Sequence, residues 1–417
     1  MATVPNPPAA EEHASQHSPW LVFWVFLRLG LTSFGGPVAH LGYFRDEFVQ
    51  RRQWLTERSY ADLVALCQFL PGPASSQVGM ALGLLRAGMP GALAAWLGFT
   101  LPSALVLALF GLGLAAGGTV LGAGALHGLK VVAVAVVAQA VWGMARSLCV
   151  GRSRVTLMAL SACAVLLWPG VWAQVGVMLA AGGAGWWLFG RGGAVLPAAQ
   201  PSLAVDGLHV PVRRRTGAVL LLVFAALLVL LPLAVQWWPG TLLALFDAFY
   251  RVGALVFGGG HVMLPLLQAV VVPPGWVSPD AFLAGYGATQ AVPGPLFTFA
   301  AFLGATMAPW PGGWLGALVC LVAIFIPSFL LVAGALPFWE PLRRSTHAQA
   351  ALAGVNAAVV GLLLAALYHP VWTSAILDAA DFGLALLAFV ALVFWRVPPW
   401  AVVLACAAAG ALWPALV

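Results

Sequence analysis

The hexapeptide Gln68-Phe69-Leu70-Pro71-Gly72-Pro73 returns 222 residues later as Gln290-Ala291-Val292-Pro293-Gly294-Pro295. A proline inside a helix removes a backbone donor and clashes with the preceding turn, so two prolines around a glycine break a helix outright. Both motifs sit inside apolar runs, 61–85 and 281–306. Irregular backbone at membrane depth is tolerated only where it is buried in protein or lines a watery cavity. A single such motif reads as a tight turn between packed helices. The matched pair, each with a glutamine three residues ahead, points instead to a built feature.

Other landmarks repeat in the same order. Arg28-Leu29-Gly30 followed by Phe34-Gly35-Gly36 returns as Arg251-Val252-Gly253 followed by Phe257-Gly258-Gly259; Trp54 matches Trp276, and Pro102-Ser103 matches Pro327-Ser328. Self-similarity of this kind marks an internal duplication. It divides the chain into a polar tail (1–19), a first repeat (20–190), a basic linker with one helix (191–240) and a second repeat (241–417).

Only 7% of the 417 residues are charged and 62% are hydrophobic, with a mean hydropathy of +0.99. A water-soluble surface needs far more ionic groups, and a disordered chain is polar, so both classes are excluded. What remains is an all-α polytopic membrane protein whose partner is the lipid bilayer. The net charge of +6 reads as positive-inside bias rather than as a nucleic-acid surface, because no basic patch is interleaved with aromatics. The five widely spaced cysteines form no CxxC pair, so neither a zinc site nor a disulfide framework is indicated, and no metal or cofactor is implied. The tail lacks a basic n-region, which leads us to expect a chain held in the membrane by its own spans.

Thirteen apolar segments can be drawn between residues 20 and 416. If all cross, the loop arginines split 11 against 4; if 20–35, 61–85, 242–258 and 281–306 each enter and leave by one face, all 15 fall on one side. The positive-inside rule favours the second arrangement. It gives nine full spans and four re-entrant segments. Five crossings then separate the repeats, an odd number, so the second repeat is inverted.

Substrate sites of inverted-repeat carriers lie where Gly- or Pro-interrupted segments of the two halves meet. The helix restarting after each break presents free N–H groups and a positive dipole end, which suit an oxyanion. The candidate binding residues are therefore Gln68, Pro71, Gly72 and Pro73 with Ser75, Ser76 and Gln77 in the first repeat, and Gln290, Pro293, Gly294 and Pro295 with Thr298 in the second. Gly35, Gly36, Gly258 and Gly259 join them, since consecutive glycines let a ligand or another backbone approach closely; small-residue helix packing is the alternative. Arg28 and Arg251 lie inside apolar segments, where an arginine faces a cavity or a partner, or else snorkels to the interface. Asp247, four residues before Arg251, is at pairing distance on a helix. Lys130, the only lysine, is a snorkelling residue or a third cation. His40 and His261 beside the glycine motifs are the groups there that titrate near neutral pH, proton-linked or structural. The residues 36–60 read as an arginine-rich loop whose acids pair with its arginines.

These motifs resemble the chromate ion transporter family in its long, two-domain form. The resemblance runs over nearly the whole chain after residue 20 and is carried by R-L-G-x-x-x-F-G-G-P (28–37), W-L-T-E (54–57), Q-F-L-P-G-P (68–73), F-G-G-G-H (257–261), G-W-V-S (275–278) and Q-A-V-P-G-P (290–295). It implies a multi-pass protein of a bacterial inner membrane that exports chromate from the cytoplasm and confers chromate resistance. Drive by the membrane potential or by ion exchange, with sulfate as the usual competitor, comes with it. Carriage of sulfate or another divalent oxyanion is the alternative cargo, and a homodimer is left open. The resemblance implies no enzyme; an integral membrane enzyme acting on lipid would need a nucleophile, base or metal constellation, which the sequence does not display. Cys67, beside Gln68, is expected to pack away from a chromate path.

Overall fold

A computed structural model describes residues 18–116, 122–168, 170–190, 212–257, 260–308 and 310–416. Gly258, Gly259, residues 1–17 of the tail and residues 191–211 of the basic linker lie outside the described residues. Those described are helical throughout, with no strand among them.

The first repeat comprises α1 (Pro19–Thr32), α2 (Gly36–Arg45), α3 (Glu57–Phe69), α4 (Ala74–Ala115), α5 (Ala123–Leu148), α6 (Arg152–Leu167) and α7 (Val171–Gly190). A linker helix, α8 (Arg214–Trp237), follows. The second repeat comprises α9 (Thr241–Leu255), α10 (Met263–Val271), α11 (Pro279–Thr289), α12 (Phe299–Thr306), α13 (Gly313–Ala335), the short α14 (Trp339–Arg344), α15 (Thr346–Ala366), α16 (Ala379–Val393) and α17 (Pro399–Leu416). Five of the described helices are long and apolar enough to cross a membrane by length and composition: α4, α5, α8, α13 with its following turn, and α15 with its extension to Ala375. Side chains such as Leu222, Val229 and Leu230 on α8 point outward, as lipid-facing residues do.

Every apolar segment read from the sequence contains a helix, and the breaks fall where proline and glycine lie. α3 is capped by Thr56, whose hydroxyl accepts from the Ser59 N–H, and its repeat counterpart α11 by Ser278, which accepts from the Ala281 N–H. α3 has 13 residues and α11 has 11; at about 1.5 Å per residue, neither spans a hydrocarbon core of about 30 Å. α4 is two helices joined at Ala87 and Gly88, whose backbone is non-helical. Its first half folds back along α3, as α12 does along α11. The all-α polytopic fold with two repeats and Pro/Gly-broken hairpins is the one expected from the sequence.

The residues 36–60 correct that reading in part. They are not simply a loop: α2 is followed by a π-helical turn, Asp46–Arg51. Phe44 and Phe48 are fully buried against Phe26 of α1, the first edge-on and the second stacked, so this charged stretch is amphipathic. The charges do pair as expected: Arg45 with Glu57, and both Arg51 and Arg52 with Glu47. Burial alone would raise the Glu47 pKa, but hydrogen bonds from the two guanidinium groups offset this and hold it below the ordinary carboxylate range.

The repeats exchange helices. α1 packs on α4 and α9 on α13, each within its own repeat, whereas α5 packs on α16 and α17 of the second repeat and α15 on α6 and α7 of the first. The contacts are backbone-close. A methyl on Gly128 of α5 would lie 2.1 Å from the Cys406 carbonyl oxygen, and one on Gly354 of α15 would lie 2.1 Å from that of Ala181. Small residues at membrane helix interfaces permit such approach. The packing is reciprocal, each half supplying a helix to the other.

Candidate functional site

Each Pro-Gly-Pro turn meets the opposite repeat. The Gly72 N–H donates to the Val256 carbonyl at 2.6 Å, and the Gly294 N–H donates to the Ser33 carbonyl at 2.9 Å. Val256 and Ser33 immediately precede Phe257 and Phe34, so each Pro-Gly-Pro turn is joined to the Phe-Gly element of the other half. Gly72 and Gly294 have φ of 124° and 104°, a region that side chains with a Cβ rarely enter. A methyl at Gly72 would lie 2.4 Å from Gln77 Nε2 and 2.8 Å from Ser328 Oγ; one at Gly294 would lie 2.7 Å from Ser103 Oγ. The Pro-Ser landmark of each long helix therefore closes over the turn from the other repeat.

Within each turn a side chain ties the backbone. Gln77 Nε2 donates to the Pro71 carbonyl and Thr298 Oγ1 to the Pro295 carbonyl, both at 2.6 Å. α4 begins directly after Pro73 with no side-chain cap, its first helical bond running from the Gln77 N–H to the Pro73 carbonyl. The N–H groups of its first turn are left at the crossing, where a helix end carries partial positive charge.

Around this crossing lie buried polar atoms with no hydrogen-bond partner within the protein: the hydroxyls of Ser33, Ser76, Thr100 and Ser328, Gln77 Oε1, and Nε2 of both His40 and Gln290. Ser33, Ser76, Gln77, Thr100 and Ser328 are each at most 3% exposed. An unsatisfied buried polar group costs about 1–3 kcal/mol. Such a cluster is not favoured by stability; a polar ligand would satisfy it. The free donors are neutral hydroxyls and the Gln290 amide plus a helix end, whereas Gln77 Oε1 can only accept.

The structure brings together most of the residues singled out from the sequence. Gly72 lies against Val256, Gln77 and Ser328, Gly294 lies against Ser33 and Ser103, and His40 Nδ1 lies 3.4 Å from Ser75 Oγ. Pro293 and Gln290 flank the second turn, both half-buried. Gly36 is half-buried and Gly35 exposed. Gly260 faces Pro37 across the repeats, and His261 is hydrogen-bonded to Tyr286. Gln68 points outward, and so does Arg28 on α1. Arg251 forms the ion pair with Asp247 that the spacing suggested, and its guanidinium lies 5.7 Å above the Trp172 ring of the first repeat. Lys130 pairs with Asp280 at 2.9 Å. Cys67 is fully buried among Leu63, Leu66 and their neighbours. Ser33, Thr100, Ser103 and Ser328 were not foreseen as site residues. The doubled Pro-Ser dipeptide was the available signal for two of them.

Interlocked repeats whose broken helices meet at an unsatisfied polar crossing define a multi-pass membrane transporter. The chain belongs to the chromate transporter family, whose sequence profile matches residues 20–186 and 243–411. It is 30% identical over 351 residues to the chromate transport protein of Pseudomonas aeruginosa, covering 82% of this chain and 78% of that one. It is 28% identical over 378 residues to the chromate transport protein of Cupriavidus metallidurans (87% and 86%), and 28% identical over 345 residues to a probable chromate transport protein of Synechococcus elongatus (82% and 81%). No solved structure matches the chain.

Proposed function

We propose that the protein exports chromate from the cytoplasm across a bacterial inner membrane by alternating access of its two repeats, and so confers chromate resistance. The arginine-bearing loops face the cytoplasm, and the second repeat is inverted relative to the first. The observation that carries this reading is the reciprocal pair of bonds, Gly72 to Val256 and Gly294 to Ser33. Each bond ties one break to the Phe-Gly element of the other half, and the unpartnered hydroxyls of Ser33 and Ser328 stand beside these junctions, which supports a polar cargo there. A tetrahedral dianion has acceptor oxygens in every direction and no donors, so it matches hydroxyl, amide and N–H groups converging from several elements. The names of the relatives support chromate as the cargo.

Sulfate has the same shape and charge and is the second reading. The test is uptake of chromate into everted vesicles or proteoliposomes under defined ion gradients and potential, with sulfate as competitor. Chromate accumulation above empty controls supports the reading. Sulfate transport with no chromate transport replaces the cargo, and transport of neither overturns the function.

A further inference from the structure

We propose that Lys130 is a second oxyanion station, at the arginine-free end of the molecule, and that Asp280 latches it; the proposal rests on the reading of the protein as an oxyanion carrier. A cavity of about 730 Å³ is lined by His127 and Lys130 of α5, by Trp276, Ser278 and Asp280 at the start of α11, and by Thr306 at the end of α12. The loop segments beside it carry no arginine. α11 runs from this cavity to the second Pro-Gly-Pro turn, so its 11 residues set the station about 17 Å from the crossing.

The ion pair there is lopsided. The Lys130 side chain is 14% exposed, whereas that of Asp280 is 75% exposed. The aspartate carboxylate already reaches water and can turn away into it. The ammonium is then left in the cavity wall short of a counter-ion, and an arriving dianion supplies one. His127, one turn earlier on the same helix, is held 2.6 Å from Asp381, and Lys130 is the one lysine or arginine among the residues lining the cavity.

The reciprocal packing of the two repeats sharpens the case. Gly128 and Gly354 occupy matching positions against Cys406 and Ala181, so Lys130, two residues on, corresponds to Asn356. Thr56 and Ser278 are matching caps, so Asp280 corresponds to Arg58. A frame that is symmetric in backbone thus carries a lysine–aspartate pair at one end and a neutral asparagine with an arginine at the other. Packing needs are alike at both ends; the charge difference serves the anion's route.

Because Lys130 is the only lysine, an amine-reactive reagent followed by peptide mass spectrometry reports on it alone, apart from the terminal amine. In the detergent-purified full chain, wild type should label slowly. D280N should label several-fold faster, and millimolar sulfate should slow that labelling where chloride at equal ionic strength does not. Equal protection by the two salts, or no gain on D280N, overturns the station. Chromate uptake measured in parallel separates the outcomes, since absent uptake by wild type strikes the transport reading while the labelling judges the site. K130Q in uptake should raise KM several-fold, with K130R retaining most of the wild-type value; unchanged KM in K130Q also overturns the proposal.

Discussion

Gly72 and Ser328 belong to opposite repeats, yet a methyl on the glycine would sit 2.8 Å from the serine hydroxyl. Gly294 and Ser103 stand in the same relation at 2.7 Å. The two halves of the protein are therefore fitted to each other at the level of single carbon atoms, and the predictions below follow from that fit.

Gly72→Ala and Gly294→Ala should each suppress transport by about tenfold or more while the protein still reaches the membrane. Each introduces a Cβ at positive φ, a strain of about 1–3 kcal/mol, and drives the turn away from the other repeat. Uptake normalised to membrane-inserted protein is the measurement. Near-normal uptake in both variants would contradict the role given to the crossing.

Ser33→Ala and Ser328→Ala should separate stability from affinity. Their hydroxyls have no protein partner, so deleting either leaves thermal stability in detergent equal or higher. The lost contact to an oxyanion should raise KM by roughly fivefold, corresponding to about 1 kcal/mol. A drop in melting temperature without a KM change would make these serines structural.

Arg251 and Arg28, repeat partners in sequence, should behave differently. Arg251→Gln leaves Asp247, 4% exposed, as a buried uncompensated carboxylate, a loss of about 3–5 kcal/mol. The double variant with Asp247→Asn should recover most of that loss. Arg28→Gln, at an exposed position, should change stability by no more than about 0.5 kcal/mol. Normal transport by Arg28→Gln would remove that arginine from the anion's path.

Glu47 links the fold to pH. Its folded pKa lies below the unfolded value, so its contribution is fully present above about pH 4.3 and is lost as the pH falls through the depressed folded value. Glu47→Gln should lower thermal stability at neutral pH, and the gap from wild type should close in strong acid. A gap independent of pH would show that the Arg51 and Arg52 pairs contribute nothing.

Most of the helical layout was legible because proline and glycine stand out against an almost unbroken apolar background: Pro71-Gly72-Pro73, Pro293-Gly294-Pro295 and the gap near Gly88 all mark real breaks. The 36–60 stretch was harder. Its helix hides among charges, and its apolar face consists mainly of Phe44 and Phe48, spaced four apart. Ser33 and Ser328 were illegible as site residues because a lone hydroxyl in an apolar run looks like any small packing residue. Only their position opposite Gly294 and Gly72 in space sets them apart. The helix exchange was hidden for a similar reason. Gly128 and Gly354 are two of 47 glycines, and nothing local says which of them touches another backbone.

That exchange governs how the protein is made. α5 leaves the ribosome early, but much of the surface that covers it belongs to α16 and α17, which are synthesised after every other helix described. Until they arrive, the Gly128 groove has only lipid or an insertase against it. The first repeat is therefore an unfinished half throughout synthesis. A chain cut before α17 loses the covering of its first repeat as well as the end of its second, so truncation should be felt far from the cut.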